Sequence, residues 1–313
     1  MEDGGATDPL LSITITPHTA EDATRLARAL VQLTDDPHLR VLSDDGSEVE
    51  LGGASEAHLE IVIDRLRRAF GVNGALSRPR VLYREALTRA ADGEAKHARR
   101  IADRGEYAHV KVAVYPATHG TGRVIETRIA GQIPDQFMAS VKLGITDGLA
   151  HGVLGGYAIE DVRVEICDGS YHDVDSTDAA FRLAASLAVQ RAARNADPVL
   201  MEPIMRLAVV IPAEYEADVR TSLAARRACL EGILEVGDTR IIRARVPLAQ
   251  LFGYATDLRA RTLGRGSYAV ELHAFEPCAR EDDDDRASNV RARIDPAPRP
   301  RRSGIALPEP DVD

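Results

Sequence analysis

The order strand, helix, strand, strand, helix, strand runs through this chain twice, once toward each end, with a larger mixed region between the copies. Such an order packs when both helices lie on one face of an antiparallel sheet, the split βαβ arrangement. Over residues 10–76, LLSITITP alternates apolar and polar residues and stops at Pro17, the period of a strand. Thr19 and Asp22 offer a helix cap, with Asp where a capping box usually has Glu. Leu26, Leu30 and Leu33, with Ala23, Ala27 and Ala29, mark one side of that helix, and Asp35, Asp36 and Pro37 stop it. Short strands at 39–42 and 49–51 flank Asp44, Asp45 and Gly46, a hairpin signal. Leu59, Val62, Ile63, Leu66 and Phe70 recur at helical spacing, Gly71 ends that helix and Val72 opens a fourth strand.

The second copy spans 199–278. A strand at 205–211 meets Pro212, which starts a helix carrying Tyr215, Val219 and Leu223. Gly232 and Gly237 bracket a strand pair whose second member is 239–246; Pro247 starts another helix, Gly264 and Gly266 release it, and 268–275 is a final strand. The copies share order, not sequence. Between them, residues 77–88, SRPRVLYREALT, read as a linker or bridging strand, and 89–198 as a separate domain. In that domain 107–115 alternates around His109, Lys111 and Ala113, and 124–129 is a further strand. Pro134 opens a helix with Phe137, Val141, Ile145 and Leu149 at spacings of four; Gly152, Gly155 and Gly156 break it. A strand at 159–166 enters CDGSYHDVDSTDAAF (167–181), and an Ala-rich helix over 176–193 leaves it with Phe181, Leu183, Leu187 and Ala192 expected inward; Asn195 and Pro198 close the domain. The class is α+β, two ferredoxin-like split βαβ domains flanking a middle one. Residues 1–9 and the acidic, then Arg- and Pro-rich 279–313 read as a disordered leader and tail.

The chain has no Trp and 4 % aromatics, so its cores must be built from Val, Leu, Ile and Ala. No apolar run approaches the roughly 18 residues of a membrane span, and no membrane partner is expected. MEDGGATDP shows no secretory signal. Three widely spaced Cys, at 167, 229 and 278, fit no disulfide framework and no zinc pattern; a reducing, cytoplasmic setting is expected. The net charge of −10 argues against a general nucleic-acid binder. Local basic clusters nevertheless stand out: Arg65, Arg67 and Arg68; Lys96, Arg99, Arg100 and Arg104; Arg226 and Arg227; Arg259, Arg261 and Arg265. Such patches can steer binding when the total charge does not.

Three loops gather most of the remaining chemistry. Ser170, Tyr171, His172, Asp173 and Asp175 lie between a strand and a helix. No nucleophile is spaced to be activated by His172, and the EF-hand pattern fails because the twelfth position, counting Asp168 as the first, is Ala179. Asx caps account for Asp173, Asp175 and Ser176 but not for an exposed Tyr171–His172 pair; stacking on bases and bonding to phosphate or 2′-hydroxyl accounts for both. Arg99, Arg100, Arg104, Gly105, Tyr107 and His109 suit either an RNA backbone contact or a solvated hairpin. In the third loop, Arg259 and Arg261 cannot share a helix face, so one is expected to pair with an acid while the other points outward; Tyr254 and Arg265 flank them. His58 sits between Glu56 and Glu60, but HEXXH is absent and helix-surface polarity is the better reading. No P-loop, GxxxxGK(S/T), occurs. No catalytic residue, metal or cofactor is expected.

On these residues the chain resembles the third, fourth and fifth domains of translation elongation factor G, over about 9–278. The matching runs are DGSYHDVDS (168–176), PVLMEPIMRLAVVIPAEY (198–215), FGYATDLRARTLGRGSY (252–268), HLEIVIDRLRRAFGV (58–72), YREAL (83–87) and GLAHGVLGGYAIEDVRVEICDGSYHD (148–173). The resemblance implies that the fourth domain reaches the decoding centre of the small subunit. Two tip loops there contact the tRNA–mRNA duplex; His172 falls on the family's tip histidine, and the other loop lies between Arg100 and Tyr107. It implies 16S and 23S rRNA as partners, with Arg226, Arg227, Tyr254, Arg259, Arg261 and Arg265 facing large-subunit RNA and His58, Arg65 and Arg68 on the interface of the third domain.

Three stretches depart from the family pattern. SGGRG becomes Ile101, Ala102, Asp103, Arg104, Gly105, which stiffens the loop and adds an acid. GMGELHLE becomes Gly53 to Glu60 with Ala54, Ser55 and Ala57, and RRG becomes Arg226, Arg227, Ala228. The GTPase and β-barrel domains that precede these domains in the family are not in this sequence. The expected function is that of an elongation-factor-like ribosome binder without its own GTPase domain and doing no covalent chemistry: a partner or competitor of the full factor, or half of a split one whose GTPase domain a separate protein supplies. The alternative is a degenerate paralogue or split-factor half with little independent activity.

Overall fold

The computed structural model describes residues 9–33, 35–101, 104–129 and 132–278, without the side chains of Ile101 and Arg104. The leader, but for Pro9, and the tail lie outside these residues. The first unit is β1 (Leu11–Pro17), α1 (Ala20–Gln32), β2 (Arg40–Asp44), β3 (Val49–Gly53), α2 (Glu56–Phe70) and β4 (Gly74–Leu76), with strand order β2-β3-β1-β4. β5 (Arg80–Val81) adds to β1. The middle unit follows β6 (Arg84–Leu87) and contains β7 (Ala91–Ile101), β8 (Arg104–Pro116), β9 (Arg123–Thr127), α3 (Asp135–Ala150), β10 (Val162–Ser170) and α4 (Asp178–Asn195), in the order β7-β8-β10-β9. The last unit is β11 (Pro198–Pro212), a short 3-10 turn, α5 (Glu216–Ala225), β12 (Cys229–Val236), β13 (Thr239–Pro247), a second 3-10 turn, α6 (Tyr254–Arg261) and β14 (Ser267–Pro277). Its order, β12-β13-β11-β14, repeats that of the first sheet, so the recurrence of order in the sequence is a recurrence of topology.

Local signals explain the helix ends. Thr19 caps α1, its Oγ1 accepting from the Asp22 N–H at 3.1 Å and donating to Asp22 Oδ2 at 2.7 Å. Gly71 closes α2 at φ 63°, with its N–H on Arg67 O and the Val72 N–H on Leu66 O, a left-handed cap that glycine adopts without a Cβ penalty. The hydroxyl of Thr19 holds the Asp22 carboxyl below its ordinary range. A depressed carboxyl stabilises the fold above its unfolded pKa, near 4, and that contribution disappears as pH falls through the lower folded value. Thr19→Ala is expected to cost about 1 kcal/mol at neutral pH. The gap to wild type should narrow as pH falls below about 4, which thermal melts followed by circular dichroism across that range would measure.

The cores do not respect the sequence boundaries. Leu10 to Val81 of the first unit and Met205 to Leu258 of the last contribute to one apolar cluster, while the middle unit has its own. The segment 77–88 is what joins them: β5 lies on the first sheet and β6 on the third, paired with β11.

Three expectations need correction. Leu183 and Leu187 are exposed, at 45 % and 38 %; α4 turns inward Ala180, Phe181, Ala184, Ala185, Ala188, Val189, Ala192 and Ala193 instead. The reason is proximity. A Cβ on Gly144 of α3 would stand 2.2 Å from Arg182 O, and one on Gly93 of β7 would stand 2.2 Å from Ala188 O, so α4 passes too close at those two points for leucine, while Phe181 is received beside Phe137. Second, β10 continues through a register shift between Ile166 and Asp168 to Ser170, which takes Asp168, Gly169 and Ser170 out of the loop, and α4 is capped by Thr177 rather than by Asp175 or Ser176. Third, Gly232 does not bound a strand but lies within β12, beside a register shift between Leu230 and Gly232.

Candidate nucleic-acid interface

β7 and β8 form a long hairpin, paired from Ala91↔Val114 to Ile101↔Arg104, whose residues 98–100 are exposed. Arg99, Arg100 and Gly105, expected in a tip loop, are therefore strand residues like Tyr107, because only residues 102 and 103 separate the two strands. The side chain of Arg104 lies outside the described residues. β10 ends beside this hairpin, with Ser170 opposite His109. The turn 171–177 then folds against β8.

The two segments are fastened by named bonds. The Tyr107 N–H donates to Asp175 O at 2.8 Å. Ser176 Oγ donates to Tyr107 O at 2.8 Å and accepts the His172 N–H at 2.9 Å. The Tyr107 and Ser170 hydroxyls are 2.8 Å apart, and Ser170 Oγ is 3.3 Å from His109 Nδ1, whose other nitrogen meets Glu94 at 2.8 Å. A Cβ on Gly105 would lie 2.5 Å from the Asp175 carboxyl carbon, so any larger residue there would displace the Asp175 carboxylate. Asp175 thus serves the junction, while Asp173 is exposed.

The N–H groups of Val174 and Asp175 donate to His172 Nδ1 at 3.4 and 3.3 Å. That leaves Nε2 as the protonated nitrogen of the neutral ring. Asp175 Oδ2 lies 3.3 Å from the same Nδ1, an ion pair only when the ring is charged. Tyr171 is 44 % exposed and the His172 side chain 56 %. Val174, at 84 %, is the most exposed large apolar residue here. The sequence reading passed over it, although an apolar residue inside the polar string DVD was the available signal. Lys96 Nζ stands 5.2 Å above the Tyr107 ring. Arg99 and Arg100, both exposed, have no ion-pair partner among the described residues and line an open groove of about 500 Å³ with Gly105, Tyr107 and Asp175. The end of the hairpin and the adjoining turn thus combine these cations, an imidazole and apolar surface.

The other two groups of candidates are not brought together in this way. Tyr254 is 1 % exposed and burial pushes its hydroxyl pKa up, so it belongs to the core. Arg226 lies 5.3 Å above its ring and donates to Gln250 O and Phe252 O. Arg227 pairs with the buried Glu202 at 2.8 Å. Arg261 pairs with Asp257 at 2.8 Å while Arg259 is exposed with no ion pair among the described residues, the division that the two-residue spacing demands. Ser222, then Arg261, hold Asp257 below the ordinary carboxylate range. Arg265 pairs with Glu214 and lies over Tyr215. In the first unit, His58 Nε2 meets Asp36 at 3.0 Å and its hydrogen bond lowers the Asp36 pKa; Arg68 pairs with Asp64, and Arg65 is exposed.

A crystal structure of a protein from Thermus thermophilus is similar to this chain, with 33 % sequence identity and a TM-score of 0.69. The similarity covers 91 % of this chain and 43 % of that one, so the chain spans less than half the length of its solved relative. Residues 6–78 match the model described as Elongation Factor G, domain III; residues 79–197 match Elongation factor G, domain IV; residues 199–286 match Elongation factor G C-terminus. Three successive domains of one factor, in order and almost without gaps, account for nearly the whole sequence, and the chain belongs to the elongation factor G family.

Proposed function

We propose that the chain acts in translation by fitting the end of its middle unit into ribosomal RNA, at the decoding centre or on the tRNA–mRNA duplex. The observation that carries this reading is the fastened tip: two segments far apart in sequence are joined through Tyr107, Ser170, Asp175 and Ser176, leaving Tyr171, His172, Val174, Arg99 and Arg100 outward. A preformed shape with cations at its rim can bind an RNA backbone and stack on bases without ordering a loop at the moment of binding. Ser170, Asp175, Gly105 and Tyr107 hold the tip, and His172, Asp173, Arg104 and the exposed cations meet the ligand. Among the described residues of the other candidate groups, Arg65 and Arg259 are the cations left to touch 16S or 23S rRNA from the flanking units, divided near residues 10–76, 89–198 and 199–278. Arg226, Arg227 and Tyr254 act inside the last unit.

These domains do no covalent chemistry in this reading; a nucleotide-dependent step would come from a GTPase domain outside the sequence. Co-sedimentation with ribosomes over a range of salt tests the proposal. His172→Ala with Arg104→Ala is expected to lower the bound fraction about tenfold or more at low salt, with the melting temperature unchanged. Binding that ignores both substitutions, or that does not weaken with salt, would refute it.

A further inference from the structure

Glu85 is fully buried, and among the described residues no cation pairs with it. Its Oε2 accepts the Val153 N–H at 2.6 Å; its Oε1 accepts the N–H groups of Leu154, Gly155 and Tyr157 at 3.0, 2.9 and 3.3 Å. Its own N–H donates to Ala158 O at 2.9 Å and its carbonyl accepts from the Glu160 N–H at 3.1 Å. All six partners belong to the turn between α3 and β10. On the other side, β6 pairs with β11, Glu85 opposite Leu200, and four residues earlier Val81 pairs with Leu11 of the first sheet. One residue therefore stands where the three units meet. Converging backbone N–H groups form an anion-binding concavity, here filled from within the chain. Gly152, at φ 51°, would place a Cβ 2.5 Å from Glu85 Oε1, so the turn closes on the carboxylate with no room to spare.

We propose that Glu85 is a positioning residue, a latch that sets the direction in which the tip-bearing unit points relative to the other two. Its meaning for RNA binding rests on the proposed function, but the latch itself is a property of the free protein. Without the carboxylate, the buried N–H donors lose their acceptor, and a turn with three glycines, 152, 155 and 156, can rearrange at small cost. The main-chain bonds of Glu85 to Ala158 and Glu160 then remain, together with those of Thr88 and Arg89 to Ala196.

The test uses the full chain without ribosomes. Spin labels go on the exposed Cys229 and on a cysteine at the tip, Val174→Cys, in a Cys167→Ser background. Wild type is expected to give one narrow distance distribution, and Glu85→Ala a distribution at least about twofold broader. Amide exchange at Val153, Leu154, Gly155 and Tyr157 is expected to rise about a hundredfold or more, with the amides of β12 and β13 unchanged. Val112→Ala, a core truncation in β8 of the middle unit, away from the joint, is expected to lower the melting temperature without broadening the distances. An equally narrow distribution in Glu85→Ala, or broadening equal to that of Val112→Ala, overturns the latch. If Glu85→Ala does not fold, Glu85→Gln, whose carboxamide oxygen can stay on Leu154, Gly155 and Tyr157 while its NH2 donor is set against the Val153 N–H, is read in the same way, by the distance distribution and by exchange at Val153. Wild-type exchange at those four amides as fast as at the exposed 118–122 turn would also overturn it. A confirmed latch with no ribosome binding would separate this inference from the functional one.

Discussion

Gly144→Ala is expected to destabilise the middle unit, although alanine is the better helix former. In a solvent-facing helix the exchange would gain about 1 kcal/mol. Here the new methyl would stand 2.2 Å from the carbonyl oxygen of Arg182 and 2.9 Å from its Cα and carbonyl carbon. Those are backbone atoms of a packed helix and cannot swing aside as a side chain can. Overpacking of this kind costs about 1–3 kcal/mol, occasionally more; against fixed backbone the upper end applies, so after the propensity gain the net loss for alanine is about 2 kcal/mol, a drop in melting temperature of roughly 10 °C for a unit of this size. Gly144→Val adds β-branching and more volume, and about 3 kcal/mol or more is expected. Gly232→Ala, where nothing lies within 4 Å of the new methyl, should change little and serves as the control. A melting temperature that rises in Gly144→Ala would show that α3 and α4 are not in close contact.

Replacing Arg99 and Arg100 together by glutamine is expected to have the largest effect on binding. Both are exposed, on opposite faces of the hairpin as successive strand residues, and neither has an ion-pair partner among the described residues, so their charge is available to a phosphate at no cost in broken pairs. Each charge-assisted contact contributes about 1.5–3 kcal/mol, about tenfold or more in affinity. The slope of log affinity against log salt should fall by about 1 for each arginine. Arg261→Gln, whose charge is held by Asp257, is expected to leave both quantities nearly unchanged. Ribosome co-sedimentation at several salt concentrations measures all three proteins. A slope unaltered by the double substitution would place the cationic contact elsewhere on the molecule.

The tip was legible in part. A polar string holding Tyr171 and His172 after a strand pattern marked one half of it, and a basic cluster before Tyr107 marked the other. That the halves touch depends on the pairing of β8 with β10 and on hydrogen bonds from Asp175 and Ser176 to Tyr107, contacts between residues about seventy positions apart. Composition could not sort the arginines of the last unit either. Arg226, Arg227 and Arg259 look alike in a string, yet the first two are spent on backbone carbonyls and the buried Glu202, and only the third is exposed without an ion pair among the described residues.

Sequence alone determined the number and kind of the elements, the recurrence of the split βαβ order and most helix ends. Those features arise from local causes: apolar periodicity, a threonine cap at Thr19, a left-handed glycine at Gly71. Tertiary structure decided which face of α4 turns inward, because the clearance left by Gly93 and Gly144 admits alanine and excludes leucine. It also decided that residues 77–88 are a joint and not a spacer, since strand pairing and the seating of the Glu85 carboxylate depend on what the rest of the chain brings to them. Local propensity acts within a few residues, whereas packing and buried charge are satisfied only by neighbours that the folded chain supplies.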